Sequence, residues 1–272
     1  MREEIGITSR KNPTVIRYEK LADKKYRQSE GLFLCEGAKL FSEAVAAGAQ
    51  MEALLLCDGC AHPLIEKTVY LAKQSPVYAD TQIYRLEPSV FEKISSEKSP
   101  EGVICVLKYL DKFRFINKIE SNIPNSEKVM LLDAVRDPGN VGTIVRSAVA
   151  FGFDRLIFSS DCADIYNART MRAAMGTLFK IRVDIVADFA ASIDALVQCG
   201  RRVFAAELRE GAVSADTAAL GKNDCVVIGN EGHGISPAHA KLCTGSIYIP
   251  IAEDAESLNA AVAGSLFAFM QK

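Results

Sequence analysis

The sequence predicts an α/β protein in which a small N-terminal α/β domain precedes a larger α/β domain built on a parallel sheet. Short apolar runs rich in β-branched residues alternate with segments of helical spacing along most of the 272 residues. This alternation is typical of parallel strands joined by helices. Residues 111–127 interrupt it with polar residues and a proline, which is typical of a linker. We therefore expect domains at residues 1–110 and 128–272, with the linker between them.

The C-terminal half opens with a strand, a turn, a helix and a second strand. Residues 129–132 form a short apolar run, and residues 137–140 (Asp-Pro-Gly-Asn) form a turn cluster. Residues 141–151 carry apolar side chains at helical spacing and end before Gly152, where a helix C-cap is expected. Residues 156–158 form the next apolar run. The pattern predicts a βαβ unit of a parallel sheet.

Two polar side chains of this unit are candidates for a site. Asn140 falls at or just before the start of the helix, and Arg146 falls in its second turn. Both can therefore face the carboxyl end of the sheet, where α/β proteins bind ligands. Taken alone, the two residues are better explained as an N-cap asparagine and a solvated helical arginine.

Two later segments extend the pattern. Residues 226–236 form a strand that runs into the glycine-rich turn Gly-Asn-Glu-Gly-His-Gly at 229–234. Residues 247–251 form another strand, followed by an acidic loop and a helix of small residues beginning near Ser257. In this order and at these separations, the three segments closely resemble the three signature motifs of the SpoU (TrmH) family of RNA 2′-O-ribose methyltransferases, within the SPOUT superfamily. The resemblance covers nearly the whole chain.

The resemblance implies a fold feature, a cofactor and an assembly. The last strands and helix are expected to pass through an earlier loop as a C-terminal trefoil knot, a rare exception to unthreaded chains. The implied cofactor is S-adenosylmethionine, contacted at Gly229, Ile249 and Leu258. A glycine at 229 would let the backbone come close to the cofactor. A homodimer is also implied, because the family builds its site at a subunit interface.

The catalytic residues implied by the resemblance are Arg146, Asn140, Glu231, Ser257 and Asn259. A guanidinium is a poor proton acceptor because its pKa lies above about 12. We therefore expect Arg146 to hold the substrate and stabilise the developing alkoxide, while direct deprotonation by Arg146 stays open. Asn140 is expected to fix the arginine or the hydroxyl, and Glu231 to orient such groups. Ser257 is expected to cap the final helix with Asn259 one turn inside it, and both could be purely structural.

Residues 167–180 resemble a further family segment that lies beside the active site. Arg169, Arg172 and Lys180 are the candidate RNA-binding residues there, through contacts with phosphates. The alternative is a solvated basic helix face.

The N-terminal half carries its own resemblance. Residues 33–37 (Phe-Leu-Cys-Glu-Gly) and 99–103 (Ser-Pro-Glu-Gly-Val) resemble the substrate-binding domain that many family members carry before the catalytic domain. That domain is similar to RNA-binding ribosomal proteins. The expected partner is therefore structured RNA, with ribosomal RNA favoured over transfer RNA. Within this half we expect strands at 32–35, 53–57, 77–79 and 102–107.

The charge distribution gives mixed support for an RNA partner. The net charge is −2, whereas most RNA-binding domains are basic. The acidic loop at 253–256 would also repel phosphates. A basic stretch near the N-terminus instead favours RNA binding. The other explanation of its charges is a solvated helix. Its cations are Arg10, Lys11, Arg17, Lys20, Lys24, Lys25 and Arg27.

Composition restricts the location and the metal content. No apolar run reaches membrane-spanning length and the N-terminus lacks a signal-peptide core, so we expect a cytoplasmic protein with no membrane or DNA partner. The eight cysteines are expected to be reduced. Cys57, Cys60 and His62 lie close in sequence, but no second pair at ligand spacing accompanies them, so no metal is expected.

Two other functions are compatible with the fold. One is a non-catalytic RNA-binding module, which the intact set of candidate catalytic residues argues against. The other is a dinucleotide-binding enzyme of the doubly wound type. Neither the turn at 139–142 nor the turn at 229–234 has the G-x-G-x-x-G spacing of such enzymes, so this is the weakest alternative.

Overall fold

The computed structural model describes residues 1–120 and 123–271, which form two compact units. One unit contains residues 1–110 and 166–179, and the other contains 111–165 and the chain from 180 onward. Residues 166–179 therefore cluster with the N-terminal unit although they are distant from it in sequence. The alternation of strands and helices along the chain cannot reveal such a placement.

The first unit is built on a mixed five-stranded sheet in the order β1-β4-β3-β5-β2. β5 runs antiparallel to β2 and β3, and the other pairs are parallel. In chain order its elements are β1 (Glu4–Ile7), α1 (Pro13–Glu19), α2 (Lys24–Glu30), β2 (Leu32–Glu36), α3 (Ala38–Ala46), β3 (Met51–Cys57), α4 (Pro63–Gln74), β4 (Gln82–Leu86), α5 (Pro88–Ile94) and β5 (Val103–Lys108).

The strand expected at residues 77–79 is wrong. Pro76–Tyr78 is a 3₁₀ turn, and the strand lies further along, at β4. Pro76 has no N–H to donate to a sheet, and the buried Tyr78 hydroxyl donates to the Val45 carbonyl oxygen at 3.3 Å. Within residues 77–79 only Tyr78 is buried and packs against α3, whereas Val77 is 56% exposed.

The second unit is built on an eight-stranded sheet in the order β11-β13-β10-β12-β7-β8-β9-β6, and every pair is parallel. From residue 111 onward, the elements are β6 (Phe113–Ile116), β7 (Val129–Leu132), α6 (Pro138–Ala150), β8 (Arg155–Ser159), α7 (Ala168–Ala174, in the first unit), β9 (Arg182–Val186), α8 (Phe189–Gln198), β10 (Val203–Ala206), β11 (Val213–Ser214), β12 (Cys225–Ile228), α9 (Pro237–Leu242), β13 (Gly245–Tyr248) and α10 (Ala260–Met270). The expected parallel-sheet α/β domain is confirmed.

The βαβ unit predicted from the sequence is present as β7, α6 and β8. Asp137 caps α6 by accepting the Asn140 N–H at 2.9 Å, Pro138 occupies its first turn, and Gly152 follows its end at φ +75°. The helix begins three residues earlier than predicted, so Asn140 lies inside its first turn. Arg146 accordingly lies in the third turn.

The strands expected from the sequence do not include β1, β6, β9 or β11. Of these, β6 and β9 lack a clean apolar pattern. β6 lies within the segment expected to be a linker and forms the edge of the sheet, with Phe115 exposed. β9 is interrupted by Asp184, which is buried. Its carboxylate pairs with Arg155 and with Arg114, so a charge at the centre of a strand is stabilised by ion pairs.

The final helix begins at Ala260 and is capped by Asn259, so the expected cap at Ser257 is wrong. The Asn259 Oδ1 atom accepts the N–H groups of Ala261 at 2.8 Å and Val262 at 3.2 Å. α10 lies against α6, and a Cβ on Gly264 would be 3.1 Å from Ile144. A small residue at 264 thus lets the two helices approach each other closely.

Among residues 1–120 and 123–271, no helix combines the length and the hydropathy that crossing a membrane requires.

Candidate active site

Three polar side chains from distant parts of the chain meet at the carboxyl end of the second unit's sheet. The Asn259 Nδ2 atom donates to Asn140 Oδ1 at 3.1 Å, and Asn140 Nδ2 donates to Glu231 Oε1 at 2.9 Å. Asn140 belongs to α6, Glu231 follows β12, and Asn259 caps α10. Because each amide both accepts and donates, its orientation is fixed by its neighbours. We call these three residues the amide–carboxylate cluster.

Glu231 lies at the end of this series of hydrogen bonds, and its carboxylate acts only as an acceptor. Its carboxylate also accepts the backbone N–H groups of Arg136 at 3.1 Å and Asp137 at 3.0 Å. Burial raises the pKa of Glu231, but the hydrogen bonds from the Asn140 side chain and these amides outweigh burial, so the pKa lies below its ordinary value. Glu231 is thus an ionised anchor for the start of α6 and a poor candidate for a general base at neutral pH.

A second asparagine supports the cluster from the glycine-rich turn. Asn230 Nδ2 donates to the Ala134 carbonyl at 2.8 Å, and its Oδ1 accepts the N–H groups of Gly232 and His233 at 2.9 and 3.1 Å. Ala134 has a φ of +53°, which is rare for a residue with a side chain. Asn230 therefore ties the turn after β12 to a strained residue after β7, and this residue was missed as a candidate.

Arg146 projects from α6 as an exposed side chain. Neither a hydrogen bond nor an ion pair reaches its guanidinium from the rest of the chain that the structure describes. It does not contact the cluster, since six residues separate it from Asn140 and turn it to a different helix face. The guanidinium is therefore available to a group outside this chain.

A cavity of about 350 Å³ lies beside the cluster, between the carboxyl ends of β10 and β13 and the start of α10. Its walls include Ile249, Ser257 and Leu258, and Leu258 is followed directly by the cluster residue Asn259. The volume falls within the range of about 300–1,000 Å³ that is typical of small-molecule sites. The structure thus brings two of the three expected cofactor residues to one cavity that adjoins the polar cluster. We call it the β10–β13 cavity.

Gly229 is not among the described residues that line this cavity. A Cβ at 229 would lie 2.4 Å from the backbone of Gly234 and Ile235. The glycine is therefore required by the close approach of the chain to itself, where the Asn230 and Gly234 backbones exchange hydrogen bonds of 2.9 and 3.0 Å. The sequence indicated a close approach at this position, but the structure gives a different neighbour for it.

The three residues expected to contact RNA lie in different surroundings. Arg172 belongs to the first unit, where its guanidinium donates to Ser96 Oγ at 2.8 Å and pairs with the Glu97 carboxylate. Arg169 is an exposed residue of the same helix, and Lys180 is an exposed residue of the second unit. A phosphate at Arg172 would have to compete with Glu97.

The basic stretch near the N-terminus is smaller than its sequence suggests. Arg27 is buried and donates to the carbonyl oxygens of Leu21 and Ala22 at 2.8 and 2.6 Å. Arg17 is ion-paired with Glu30 and Glu52, each at 2.7 Å. Arg27 therefore belongs to the interior of the first unit and the charge of Arg17 is paired. The other exposed cations are Arg10, Lys11, Lys20, Lys24 and Lys25.

No group of three His, Cys, Asp or Glu side chains within residues 1–120 and 123–271 could hold a metal ion.

Comparison with known proteins identifies the family. The model of the SpoU rRNA Methylase family matches residues 127–269, and an MRM3-like substrate binding domain matches residues 12–105. The chain belongs to the SpoU rRNA methylase family. The first match contains every member of the amide–carboxylate cluster, together with Arg146 and the β10–β13 cavity.

Individual SpoU relatives match over almost the full chain. The 23S rRNA (guanosine(2553)-2′-O)-methyltransferase RlmP of Bacillus subtilis is 30% identical over 97% of this chain and 97% of its own length. The 23S rRNA (uridine(2479)-2′-O)-methyltransferase of Streptomyces viridochromogenes is 28% identical over 90% of this chain and 84% of its own. The crystal structure of an AdoMet-bound rRNA methyltransferase from Sinorhizobium meliloti superposes with a TM-score of 0.82, at 27% identity, over 98% of this chain and 97% of that one.

Proposed function

We propose that this protein methylates a ribose 2′-hydroxyl of ribosomal RNA, with S-adenosylmethionine as the methyl donor. The observation that carries the proposal is the amide–carboxylate cluster, which is complete, hydrogen-bonded and adjacent to the β10–β13 cavity. Relatives that match almost end to end act on 23S rRNA, which favours ribosomal RNA over transfer RNA. These two relatives modify different nucleosides, so the fold supports more than one target position.

The cavity fits the proposed cofactor. Aliphatic side chains of Ile247, Ile249 and Leu258 provide the apolar walls that a nucleoside base requires, and Ser257 supplies a hydroxyl near the cluster. S-adenosylmethionine supplies a methyl group on a positively charged sulfur. The chain itself provides the binding surface, the exclusion of water and the orientation of the acceptor hydroxyl.

The residues of the cluster have separable roles in this proposal. Asn140 and Asn259 are fixed by each other and by Glu231, so they can present amide groups to the ribose in one orientation. Glu231 fixes Asn140 and the N-terminus of α6. Arg146, which has no partner within the described chain, binds the phosphate or sugar of the target nucleotide and stabilises the developing alkoxide.

We further propose that the protein acts as a homodimer through α6 and α10. Val262, Leu266 and Phe269 are 47%, 37% and 66% exposed and recur at helical spacing, so they form an apolar stripe on α10. Phe151 at the end of α6 meets Phe269 edge to face, with ring centroids 5.6 Å apart. Because Arg146 is exposed on the helix that packs against α10, a subunit bound to this stripe would place a second chain near the arginine.

The C-terminal trefoil knot is supported by the central position of β12, between β10 and β7, and by the return of α10 to α6. RNA recognition by the first unit is supported by the match of residues 12–105 to a substrate binding domain. Arg169, Arg172 and Lys180 remain proposed RNA contacts, and the cytoplasm remains the expected location.

The test is methyl transfer in vitro. The purified protein is incubated with methyl-labelled S-adenosylmethionine and with ribosomal RNA that lacks the modification, and the digested nucleosides are separated by mass spectrometry. We expect one 2′-O-methylated nucleoside from ribosomal RNA and none from transfer RNA. Asn140→Ala should abolish the product, whereas Thr143→Ala, a matched change on the same helix, should retain it. Methylation on a base, or on transfer RNA alone, would contradict the proposal.

A further inference from the structure

One acidic side chain of the β10–β13 cavity has no role in the cluster. Glu207 follows β10 directly, and its backbone N–H donates to the Ile247 carbonyl at 3.0 Å. Its side chain is only 26% exposed, and it lines the cavity together with Glu256. Among the described residues that form the wall, these are the two charged side chains.

The carboxylate of Glu207 is held in place through one oxygen. Oε1 accepts the Ser246 hydroxyl at 3.0 Å and lies 3.2 Å from Arg209 Nε. Ser246 is itself 3% exposed. No residue that the structure describes donates to Oε2. A half-buried carboxylate with one fixed and one unsatisfied oxygen is a preorganised acceptor for a ligand that carries O–H or N–H groups.

The sheet order indicates which end of the cofactor Glu207 meets. The cluster lies after β7 and β12, where the reaction takes place, whereas β10 lies one strand beyond β12. Neighbouring strands are about 4.8 Å apart, so the end of β10 is about 10 Å from the end of β7. The cofactor's reactive sulfur has to reach the cluster. The sulfur carries two arms, an amino-acid chain and a nucleoside, and the aliphatic wall beside β10 suits the nucleoside.

Within the nucleoside, the ribose offers the best match to Glu207. Leu208, Ile247 and Ile249 surround the carboxylate with aliphatic surface, which suits the faces of an adenine ring. The ribose connects the adenine to the reactive end, and its two adjacent hydroxyls are donors that a carboxylate can accept together. Acidic side chains at the carboxyl edge of parallel sheets bind ribose hydroxyls in dinucleotide-binding folds for the same reason.

We propose that Glu207 binds the ribose hydroxyls of the cofactor and is a specificity-determining residue of the β10–β13 cavity. The inference rests on the proposed function, because it assumes that the cavity takes S-adenosylmethionine. It assigns Ser246 the role of a positioning residue, which orients the carboxylate without touching the ligand. Glu256 is exposed and lacks such a support.

The test is titration calorimetry with S-adenosylhomocysteine, the product, so that binding is measured without turnover. We expect Glu207→Ala to weaken binding about tenfold, the loss typical of one charge-assisted hydrogen bond. The matched variant Glu210→Ala, an exposed carboxylate that is not among the described residues lining the cavity, should stay within about threefold of the unmodified protein. Glu207→Gln keeps an acceptor for the buried Ser246 hydroxyl and should also weaken binding, with thermal unfolding as the check on its fold.

Modified ligands then identify the contacted group. The 2′-deoxy and 3′-deoxy forms of S-adenosylhomocysteine should bind the unmodified protein about tenfold more weakly than S-adenosylhomocysteine itself. In Glu207→Ala, removing either hydroxyl should weaken binding by less than about twofold. An equal loss in both proteins would overturn the proposal. S-inosylhomocysteine lacks the adenine amine. If it binds the unmodified protein more weakly than S-adenosylhomocysteine does, but binds Glu207→Ala equally well, Glu207 contacts the base and the ribose assignment is wrong. If the unmodified protein binds neither S-adenosylhomocysteine nor S-adenosylmethionine, the proposed function fails as well.

Discussion

The amide–carboxylate cluster and the β10–β13 cavity lie at the same edge of one sheet but are built from different interactions. The cluster consists of polar side chains that satisfy one another, with Asn259, Asn140 and Glu231 linked in sequence by hydrogen bonds of 3.1 and 2.9 Å. The cavity consists largely of aliphatic wall with a single supported carboxylate, Glu207. The polar groups of the cluster are already hydrogen-bonded to one another, whereas the cavity presents apolar surface that a ligand would cover.

This difference predicts that substitutions in the two regions affect different measured quantities. Changes in or beside the cluster should act on the rate of methyl transfer and on the local fold, because its groups are preorganised for the transition state. Changes in the cavity wall should act on cofactor affinity, because apolar contacts stabilise bound substrate and transition state alike.

The largest effect is expected for Arg146→Ala. Loss of the guanidinium should lower the rate constant of methyl transfer by about 100-fold or more, as for loss of one electrostatic stabiliser of a transition state. Cofactor affinity should remain within a few-fold, since Arg146 is not among the described residues that line the cavity. Single-turnover kinetics and calorimetry measure the two quantities, with Thr143→Ala as the control. A near-normal rate would remove Arg146 from the mechanism.

A large structural effect is expected for Gly229→Val. The new side chain would meet the backbone of Gly234 and Ile235 at 2.4 Å, so the turn that carries Asn230 and Glu231 has to move. We expect the free energy of unfolding to fall by about 2–3 kcal/mol in urea, with a loss of methyl-transfer rate because Asn230 and Glu231 are displaced. The matched control is Gly232→Ala, whose Cβ would meet only Asn230 Oδ1 at 3.7 Å and should be tolerated. Unchanged stability and rate in Gly229→Val would show that the turn is not constrained as described.

A moderate effect on affinity alone is expected for Leu258→Ala. Removing most of a half-buried apolar side chain from the cavity wall should weaken S-adenosylmethionine binding about tenfold, as expected for about 1.5 kcal/mol of lost contact. The rate at saturating cofactor should change little. Val213→Ala, an exposed position on β11, is the control. A loss of rate at saturation would mean that Leu258 belongs functionally to the cluster.

The smallest expected effect concerns pH. The pKa of Glu231 is lower in the folded protein than its ordinary value because of its hydrogen bonds, so the folded state gains stability from the ionised carboxylate. That contribution is fully present above the unfolded pKa of about 4.3 and is lost as the pH falls through the folded pKa. The measurement is the urea midpoint of each protein at pH 6 and pH 4. Glu231→Gln should lose less stability on acidification than the unmodified protein. Equal losses would show that the hydrogen bonds do not favour the charged form.

The predictability of the two regions differs for a physical reason. The βαβ unit and the glycine-rich turn follow from local spacing, and the family motifs indicated Asn140, Glu231 and Asn259 as residues of one site. Their mutual hydrogen bonds depend on segments about 90 to 120 residues apart, which local patterns do not report.

Errors in the sequence-based expectations have similar causes. β9 was missed because Asp184 breaks its apolar run, and only Arg114 and Arg155 on neighbouring strands explain that charge. Arg27 was counted as a surface cation because its carbonyl partners at 21 and 22 arise from the turn between two helices. Glu207 left a weak signal, a charge directly after a strand, which gains meaning only when the cavity is known.

In the proposed function, the cluster and the cavity together perform 2′-O-methylation of ribosomal RNA. The most direct measurement is a map of ribose methylation, read as protection from alkaline cleavage, in ribosomal RNA from cells that lack the gene and carry either the unmodified protein or Arg146→Ala. We predict that one protected position disappears on deletion, returns with the unmodified protein and stays absent with Arg146→Ala. An identical map in all strains, or full restoration by Arg146→Ala, would contradict the account.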